Sequence, residues 1–211
     1  MIIRCLHRQD YLPVWRTMQH YTQRRDDLSP DELWCVEHPP VFTLGQSGKH
    51  HHILNPGSIP VVEVDRGGQV TYHGPGQAVV YTLIDLRRRK LGPRAMVVAL
   101  EQAVIALLAE HGINAQNRRD APGVYVGDRK IAALGLRVRR GCCYHGVALN
   151  VNMDLEPYQR INPCGYPGLA VTHMAAFTTP PAANEVAPTL ALKLAAELGY
   201  TDITFHHEQQ R

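Results

Sequence analysis

One cysteine of the chain lies where a thiol nucleophile would be placed. Cys164 follows a proline and precedes a glycine in the segment Asn162-Pro163-Cys164-Gly165-Tyr166-Pro167-Gly168, which is too interrupted for a helix or an inner strand. Inert cysteines are typical of buried apolar runs such as the one around Cys35, whereas reactive cysteines occupy exposed, stiff loops. The segment therefore indicates a reactive thiol, and an unreactive loop cysteine is an equally weighted alternative.

Lys130 is a second residue with possible chemistry. It stands at the start of the apolar run Ile131-Ala132-Ala133-Leu134-Gly135-Leu136, which is typical of a strand. Burial beside this run would depress the pKa of the lysine and let it accept a proton. A solvated charge at a strand end is the more common role of such a lysine, and the residue types alone favour that role.

A glycine-rich segment at residues 66–77 predicts a backbone that turns and lies exposed, because four glycines and a proline exclude a regular helix there. Main-chain N–H groups in such a segment can approach a ligand closely, although a tight structural turn is equally compatible. The spacing lacks both the GxxxxGK[ST] phosphate loop and the third glycine of GxGxxG, and residues 45–49 are too short for a phosphate loop. Nucleotide binding is therefore not indicated.

The 12 histidines do not indicate a metal site. Consecutive side chains cannot all point at one ion, so the run His50–His52 is predicted to be a solvated loop. Cys142 and Cys143 with His145 would need a distant fourth ligand, and we expect no bound metal. The histidines that could instead flank a catalytic thiol are His73, His145 and His173.

The composition restricts the class of protein. The chain has 211 residues, 45% of them hydrophobic and 19% charged, with a formal net charge of +3, which excludes a disordered chain and argues against a dedicated nucleic-acid binder. Basic clusters at residues 87–90 and around 137–140 could dock an acidic carrier protein. With five cysteines, no CxxC pair, and no secretory or membrane-spanning stretch, we expect a cytoplasmic protein with a free thiol and no membrane partner.

Helical and strand patterns alternate along the chain and no linker divides it, so we predict one domain over residues 1–211 of the α+β (mixed α/β) class. Asp10 is predicted to cap a first helix, Pro93–Glu110 form the clearest helix, and a last helix around Leu194 ends at Gly199. Strands are predicted at residues 33–36, 41–44, 59–64, 78–84, 123–126, 130–138 and 147–151, with a hairpin turn at Gly127 and Asp128.

Four segments taken together indicate a protein family more specifically than any one of them does. They are residues 66–77 (RGGQVTYHGPGQ), residues 130–135 (KIAALG), residues 145–151 (HGVALNV) and residues 163–165 (PCG). Their order and spacing closely resemble those of the lipoyl(octanoyl) transferases, and the resemblance covers nearly the whole chain.

The resemblance implies a fold shared with the catalytic domains of lipoate and biotin protein ligases, a mixed sheet flanked by helices. It also implies an acyltransferase that moves an octanoyl group from octanoyl-acyl carrier protein to a lysine ε-amine of a lipoyl domain, the first step of lipoate biosynthesis. The implied acceptors are the lipoyl domains of 2-oxo acid dehydrogenase E2 subunits and the glycine cleavage H protein. No cofactor is implied, because a thioester donor needs no nucleotide.

Individual residues acquire roles from the same resemblance. Cys164 matches the acyl-accepting nucleophile, and Lys130 matches the lysine that activates it. The residues that match the acyl site are Arg66, Gly67, Gly68, Gln69, Val70, Thr71, Tyr72, His73, Ala133, Leu134, Gly135, Gly146, Val147 and Ala148. The run His50–His52 gains no role, and neither do Cys142 and Cys143.

The oxyanion of a tetrahedral intermediate needs hydrogen-bond donors during acyl transfer. Glycine backbone can bring its N–H groups close to such an oxygen. The candidate donors in this chain are the N–H groups near Gly67, Gly68 and Gly135.

Three other functions remain open on the sequence. An ATP-dependent lipoate or biotin protein ligase would activate a free acid as an adenylate and needs no cysteine nucleophile. A papain-like cysteine hydrolase would use Cys164 with one of the three histidines named above and would release a free acid. A carrier-protein binding module would bind acyl carrier protein without becoming acylated. The proline–cysteine–glycine setting of Cys164 favours the transferase.

Overall fold

A mixed β-sheet organises the computed structural model, which describes residues 1–207. The predicted domain extends to residue 211, so its residues 208–211 lie outside the described part. The strands are Ile2–Arg8 (β1), Glu32–Glu37 (β2), Val41–Leu44 (β3), Val61–Glu63 (β4), Val70–His73 (β5), Gln77–Asp85 (β6), Gln116–Asn117 (β7), Val124–Val126 (β8), Arg129–Arg139 (β9), Cys142–Asn150 (β10) and Thr204–His207 (β11). The α-helices are Tyr11–Arg24 (α1), Pro93–Glu110 (α2) and Ala183–Glu197 (α3).

Within the described residues, eight strands form the large sheet, in the order β11-β1-β2-β6-β10-β9-β8-β7. Strand β1 pairs in parallel with β2 and β11. The other neighbours in this sheet, from β2 through β6, β10, β9 and β8 to β7, pair antiparallel. The other three strands form a small sheet in the order β4-β3-β5, with β3 parallel to β4 and antiparallel to β5. The predicted α+β class with a mixed sheet flanked by helices is confirmed.

Different helices cover the two faces of the large sheet. Helices α2 and α3 pack together on one face, where Leu107 and Leu194 belong to the main hydrophobic core. Helix α1 covers the opposite face and buries Met18 there. Because side chains alternate along a strand, Val147 of β10 faces the α2–α3 layer and Ala148 faces the α1 layer. The central strands therefore contribute side chains to both layers.

The three predicted helices are present. Helix α2 has the predicted bounds and begins with a proline, whose missing N–H costs nothing in the first turn. Asp10 occupies the cap position of α1 but makes no side-chain capping hydrogen bond, so burial of Tyr11 and Val14, rather than a cap, fixes the start of this helix. Helix α3 ends directly before Leu198 and the left-handed Gly199. Among residues 1–207, no helix has both the length and the apolar character to cross a membrane.

The sequence patterns miss the two parallel strands at one side of the sheet, β1 and β11. Strand β1 carries Arg4, His7 and Arg8 among its residues, and every residue of β11 is exposed, so neither strand stands out as an apolar run. Two predicted strands also differ in extent: β10 begins at Cys142 rather than at residue 147, and β4 covers only part of residues 59–64. The predicted hairpin of β8 and β9 is confirmed.

The glycine-rich segment is not exposed along its length, and the prediction that it would be is wrong. Residues Val70–His73 form β5, which is fully buried and pairs with β3 in the small sheet. The glycines turn the chain on either side of this strand, at Gly68 and at Gly76, where φ is positive. The segment is therefore a short buried strand of the small sheet with a turn on either side.

Leu107 provides a test of how helix α2 is held. Its side chain is fully buried, so Leu107→Ala removes apolar atoms from the core and should lower the free energy of unfolding by about 2–5 kcal/mol. Val98 lies on the same helix and is 44% exposed, so Val98→Ala should change that free energy by less than about 0.5 kcal/mol. Urea unfolding followed by circular dichroism measures both. Equal losses would show that core packing does not hold the helix.

Candidate active site

The structure brings Lys130 and Cys164 into contact. The Lys130 Nζ atom lies 2.9 Å from Cys164 Sγ and also donates a hydrogen bond to the Pro122 carbonyl at 3.0 Å. Lys130 is only 4% exposed, whereas Cys164 is half-buried. A cation at hydrogen-bond distance from a thiol is an environment that is typical of reactive cysteines.

Backbone bonds to β9 hold the two residues together. The Lys130 N–H donates to the Ala170 carbonyl, and the Lys130 carbonyl accepts from the Thr172 N–H, both at 2.9 Å. These bonds attach the loop that follows Cys164 to the beginning of β9 as a short parallel bridge. Main-chain hydrogen bonds therefore bring these two residues together although they are far apart in the sequence. Such bonds do not depend on side-chain type.

Cys164 lies in a single tight turn, Pro163–Gly165, with a left-handed backbone. Its φ is +57°, and that of Gly165 is +80°. The turn is closed by hydrogen bonds from Gly165 N to the Asn162 carbonyl at 2.9 Å and from Tyr166 N to the Pro163 carbonyl at 3.1 Å. A left-handed backbone costs a residue other than glycine about 1–2 kcal/mol. Such strain is typical of functional sites, where the surrounding structure imposes it.

The charge state of Lys130 differs from the sequence-based expectation. Burial alone lowers the pKa of Lys130, but the charge of Cys164 and the hydrogen bond to its sulfur, together with Tyr125, outweigh burial and raise that pKa above its ordinary value. The expectation that burial would depress the pKa of Lys130 therefore has the wrong sign. The raised pKa favours the ammonium form of Lys130 beside the sulfur.

A cavity of about 460 Å³ opens beside this pair. Of the residues that the sequence assigns to the acyl site, those lining the cavity are Arg66, Gly67, Gly68, Gln69, Val70, Thr71, His73, Ala133, Leu134, Gly135, Gly146, Val147 and Ala148. Tyr72 is the exception, because its ring packs between Phe42 and Tyr158. The structure thus places thirteen of the fourteen predicted acyl-site residues around one cavity.

Small residues keep the floor of the cavity low. A Cβ on Gly146 would collide with the Val80 carbonyl on the neighbouring strand. A Cβ on Gly135 would stand 3.0 Å from Arg66 Cδ, so the Arg66 side chain would have to shift to accommodate it. Val79 and Leu136 add apolar surface to the walls. A low floor between apolar walls suits an unbranched alkyl chain.

Arg66 is a buried cation at the edge of the cavity. Its guanidinium donates to the Thr43 carbonyl at 2.7 Å, to Thr43 Oγ1 at 2.8 Å and to the Gly67 carbonyl at 3.0 Å. Burial lowers the pKa of Arg66, and none of the ion pairs among residues 1–207 includes this residue. A buried guanidinium with hydrogen bonds but no carboxylate favours an anion or a developing oxyanion in the cavity.

Comparison with known sequences decides the family. The family described as "Lipoyl protein ligase A/B catalytic domain" matches residues 10–195. An "Octanoyltransferase" of Shewanella amazonensis is 57% identical over 204 residues, which cover 97% of this chain and 94% of that protein. The chain belongs to the octanoyltransferase family. The "Octanoyltransferase" of Shewanella oneidensis is also 57% identical, with the same coverage of both chains.

Solved structures of ligases share the fold of this octanoyltransferase family member. "Lipoate-protein ligase A bound with ATP" has a TM-score of 0.81 at 15% identity, covering 99% of this chain and 89% of that one. "Biotin protein ligase from Aquifex aeolicus in complex with biotin and ATP" has a TM-score of 0.58 at 12% identity, covering 93% and 69%. At these identities the likeness shows the fold alone, and it confirms the predicted relationship in fold.

Membership in the octanoyltransferase family confirms the sequence-based prediction of an acyltransferase of lipoate biosynthesis. It also favours octanoyl transfer over the ligase and hydrolase alternatives. The contact between Lys130 and Cys164 agrees with a cysteine-dependent transfer.

None of the three histidines suggested as thiol partners is hydrogen-bonded to Cys164 within the described residues. His145 Nε2 lies 2.9 Å from Asp65 Oδ1, and His73 Nδ1 lies 2.7 Å from Gln77 Oε1. Burial lowers the pKa of His73 to about 3, so its ring is neutral. His173 does not line the cavity. These positions do not support a cysteine–histidine hydrolase.

The other four cysteines are buried away from the site. Cys142 and Cys143 lie in β10, while Cys5 and Cys35 face each other across β1 and β2. Burial raises the pKa of Cys143 to about 11, which makes it a poor nucleophile. Cys164 is thus the partly exposed thiol of the chain.

Sequence reasoning misses Asp65, which anchors the segment next to Arg66. Its carboxylate accepts hydrogen bonds from Trp15 Nε1 at 2.8 Å, Gln19 Nε2 at 3.0 Å, His145 Nε2 at 2.9 Å, and the Tyr144 hydroxyl. Burial alone raises the pKa of Asp65, but these donors outweigh burial and hold the pKa well below its usual range. Burial lowers the pKa of His145, so a neutral imidazole donates to a charged carboxylate. Helix α1 is thereby fixed to β10 beside the cavity.

The Asp65 carboxylate should make stability depend on pH. Because the pKa of Asp65 is lower in the folded chain than its unfolded value of about 3.9, its contribution is present at neutral pH and is lost as the pH falls below that value. Asp65→Asn should lower the free energy of unfolding by about 1–3 kcal/mol at pH 7, since the amide has no charge and faces several donors.

Urea unfolding at pH 7 and at about pH 3 measures this effect, and the difference between the wild type and Asp65→Asn should shrink at the lower pH. Asp128→Asn is the matched control, because Asp128 has an almost fully exposed side chain and pairs with Arg118 at the surface. A difference that stays constant with pH would contradict the assignment of the charge to Asp65.

Proposed function

We propose that this chain transfers an octanoyl group from octanoyl-acyl carrier protein to a lysine ε-amine of lipoyl domains, through an acyl thioester on Cys164. The observation that carries the proposal is the 2.9 Å contact between Lys130 Nζ and Cys164 Sγ at the edge of an apolar cavity. Octanoyl transfer itself follows from membership in the family, and the cavity offers room for the alkyl chain.

In the first step, the Cys164 sulfur attacks the carbonyl carbon of the donor thioester. A carbon–sulfur bond to Cys164 forms, and the bond to the carrier's phosphopantetheine sulfur breaks. The leaving thiolate takes a proton from the Lys130 ammonium, which leaves the lysine neutral. One thioester replaces another, so the step is roughly balanced in energy and needs no nucleotide.

In the second step, the neutral acceptor amine attacks the acyl carbon on Cys164. A carbon–nitrogen bond forms, the carbon–sulfur bond breaks, and Lys130 takes the proton that the nitrogen loses. The ammonium–thiolate pair is thereby restored. The acceptor lysine has an ordinary pKa of about 10.4, so it must first lose a proton to solvent. Formation of an amide from a thioester makes this step favourable.

Both steps pass through a tetrahedral oxyanion, which needs donors. The N–H of Gly67 donates to the Leu136 carbonyl at 2.9 Å, so it is not free for that role. Gly68 and Gly135 also line the cavity and remain candidates, and the buried guanidinium of Arg66 is a further one. A positive charge near the developing oxyanion lowers the barrier more than a neutral donor does.

The partners follow from the same chemistry. The proposed acceptors are lipoyl domains of 2-oxo acid dehydrogenase E2 subunits and the glycine cleavage H protein. A structural neighbour at 15% identity is described as "a bi-partite lipoate protein ligase and its E2 lipoyl domain" from Thermoplasma acidophilum. Both carriers and lipoyl domains would be met in the cytoplasm, where we place this chain.

Intact-protein mass spectrometry tests the proposal directly. The wild type, incubated with octanoyl-acyl carrier protein and no ATP, should gain one octanoyl group and lose it when a lipoyl domain is added. Cys164→Ala should gain none. Lys130→Ala should be acylated about 100-fold more slowly or worse, as expected for loss of a proton-transfer group. Lys193→Ala, which removes a lysine that pairs with Glu110 outside the cavity, should behave as the wild type.

The same assay separates the alternatives. If the lipoyl domain is modified only when ATP and free octanoic acid are present, the enzyme is a ligase and not a transferase. Release of free octanoic acid without a lipoyl domain would indicate a hydrolase. Binding of the carrier without acylation of Cys164 would leave only a binding module.

A further inference from the structure

The histidine run, which has no role in the proposed transfer, packs against the turn that carries Cys164. His50–His52 form a short helical turn, and the His52 carbonyl accepts a hydrogen bond from the Asn162 N–H at 2.7 Å. The next residue, Ile53, forms an antiparallel bridge with Ile161. The backbone of the histidine run is thus attached to the chain directly before the nucleophile.

The His52 side chain extends this contact across the turn. Its Nδ1 atom lies 3.4 Å from Nδ2 of Asn162, the residue directly before the turn. Its Nε2 atom lies 3.4 Å from the point where a Cβ on Gly165 would stand, directly after Cys164. The Cγ atom of Gln69 lies 3.1 Å from the same point. The imidazole therefore spans the turn from its beginning to its end.

The turn needs contacts of this kind because its backbone is strained. Cys164 and Gly165 both have positive φ, and the two hydrogen bonds that close the turn lie within it. A strained conformation persists only where the surroundings enforce it. Among the described residues, His52 contacts the turn with its main chain and its side chain together.

We propose that His52 is a positioning residue whose neutral imidazole holds Asn162, and through it the turn, so that Cys164 Sγ stays beside Lys130 Nζ. This inference rests on the proposed function of Cys164. The amide Nδ2 of Asn162 donates, so Nδ1 of His52 must accept and the ring proton resides on Nε2. Protonation of Nδ1 would set two donors against each other and break the contact.

The surroundings of His52 favour its neutral form. Burial of the ring and the positive charges of His51 and Lys49 lower the pKa of His52 below its ordinary value. The titratable group on the turn packed against it is Cys164, whose partner Lys130 lies on β9. Since the pKa is lowered, the contact is present at neutral pH and is lost as the pH falls through that pKa. Acylation of Cys164 should therefore show an acid limb that belongs to His52.

Two variants separate positioning from simple packing. His52→Ala removes the acceptor and should slow single-turnover acylation of Cys164 by octanoyl-acyl carrier protein about tenfold or more, because small misplacements of a nucleophile are costly. His52→Asn keeps an oxygen acceptor near the position of Nδ1 and should restore the rate to within about twofold. His50→Ala is the control, since His50 is exposed and pairs with Glu63 instead.

The pH profile provides the second readout. Because the pKa of His52 is lowered, the rate of the wild type should fall on acidification below the ordinary histidine pKa of about 6.5, and His52→Asn should lack this fall. Wild-type rates in His52→Ala, equal losses in both variants, or an unchanged acid limb in His52→Asn would each overturn the inference. If His52→Ala fails to fold in thermal unfolding, the comparison of wild type with His52→Asn decides alone. A wild type that never acquires an acyl group on Cys164 overturns the proposed function itself.

Discussion

A lysine buried beside a cysteine sulfur constrains the rest of this structure. Removing an ammonium group from water is costly unless an opposite charge and hydrogen bonds replace the solvent. Here the Cys164 sulfur and the Pro122 carbonyl replace it; Pro122 lies shortly before Lys130 in the sequence, whereas Cys164 lies on a loop much further along the chain. The fold must therefore hold three separate segments within hydrogen-bond distance, and a shift of any one leaves a buried charge without its partner.

The sheet satisfies this constraint with main-chain bonds on one side of the cavity and a carboxylate on the other. The bridge from Lys130 to Val171 fixes the loop that follows Cys164 to β9. Asp65 fixes helix α1 to β10 and holds the chain directly before Arg66. Between these anchors, Gly135 and Gly146 line the cavity without side chains of their own. Rigid elements thus surround the space in which an acyl chain would lie.

The sequence predicts the parts of this structure whose causes are local. Helix α2 has its predicted bounds because a proline, an apolar stripe and a glycine mark it. Strand β1 and the carboxylate of Asp65 escape prediction because distant partners determine both. A matching motif also does not show which side chains reach the cavity, which is why Tyr72 is misplaced. The pKa of Lys130 has the wrong predicted sign because only the fold brings the sulfur to it.

The uneven exposure of the five thiols has a pharmacological consequence. Four of them are shielded inside the protein, and the fifth stands at the edge of an apolar cavity beside a cation. An electrophile carried on a short alkyl tail would be drawn into the cavity by the tail and would meet a single sulfur there. A selective covalent inhibitor of this chain therefore needs only a weakly reactive electrophile, because the cavity, rather than the reactivity of the electrophile, selects Cys164 over the other thiols.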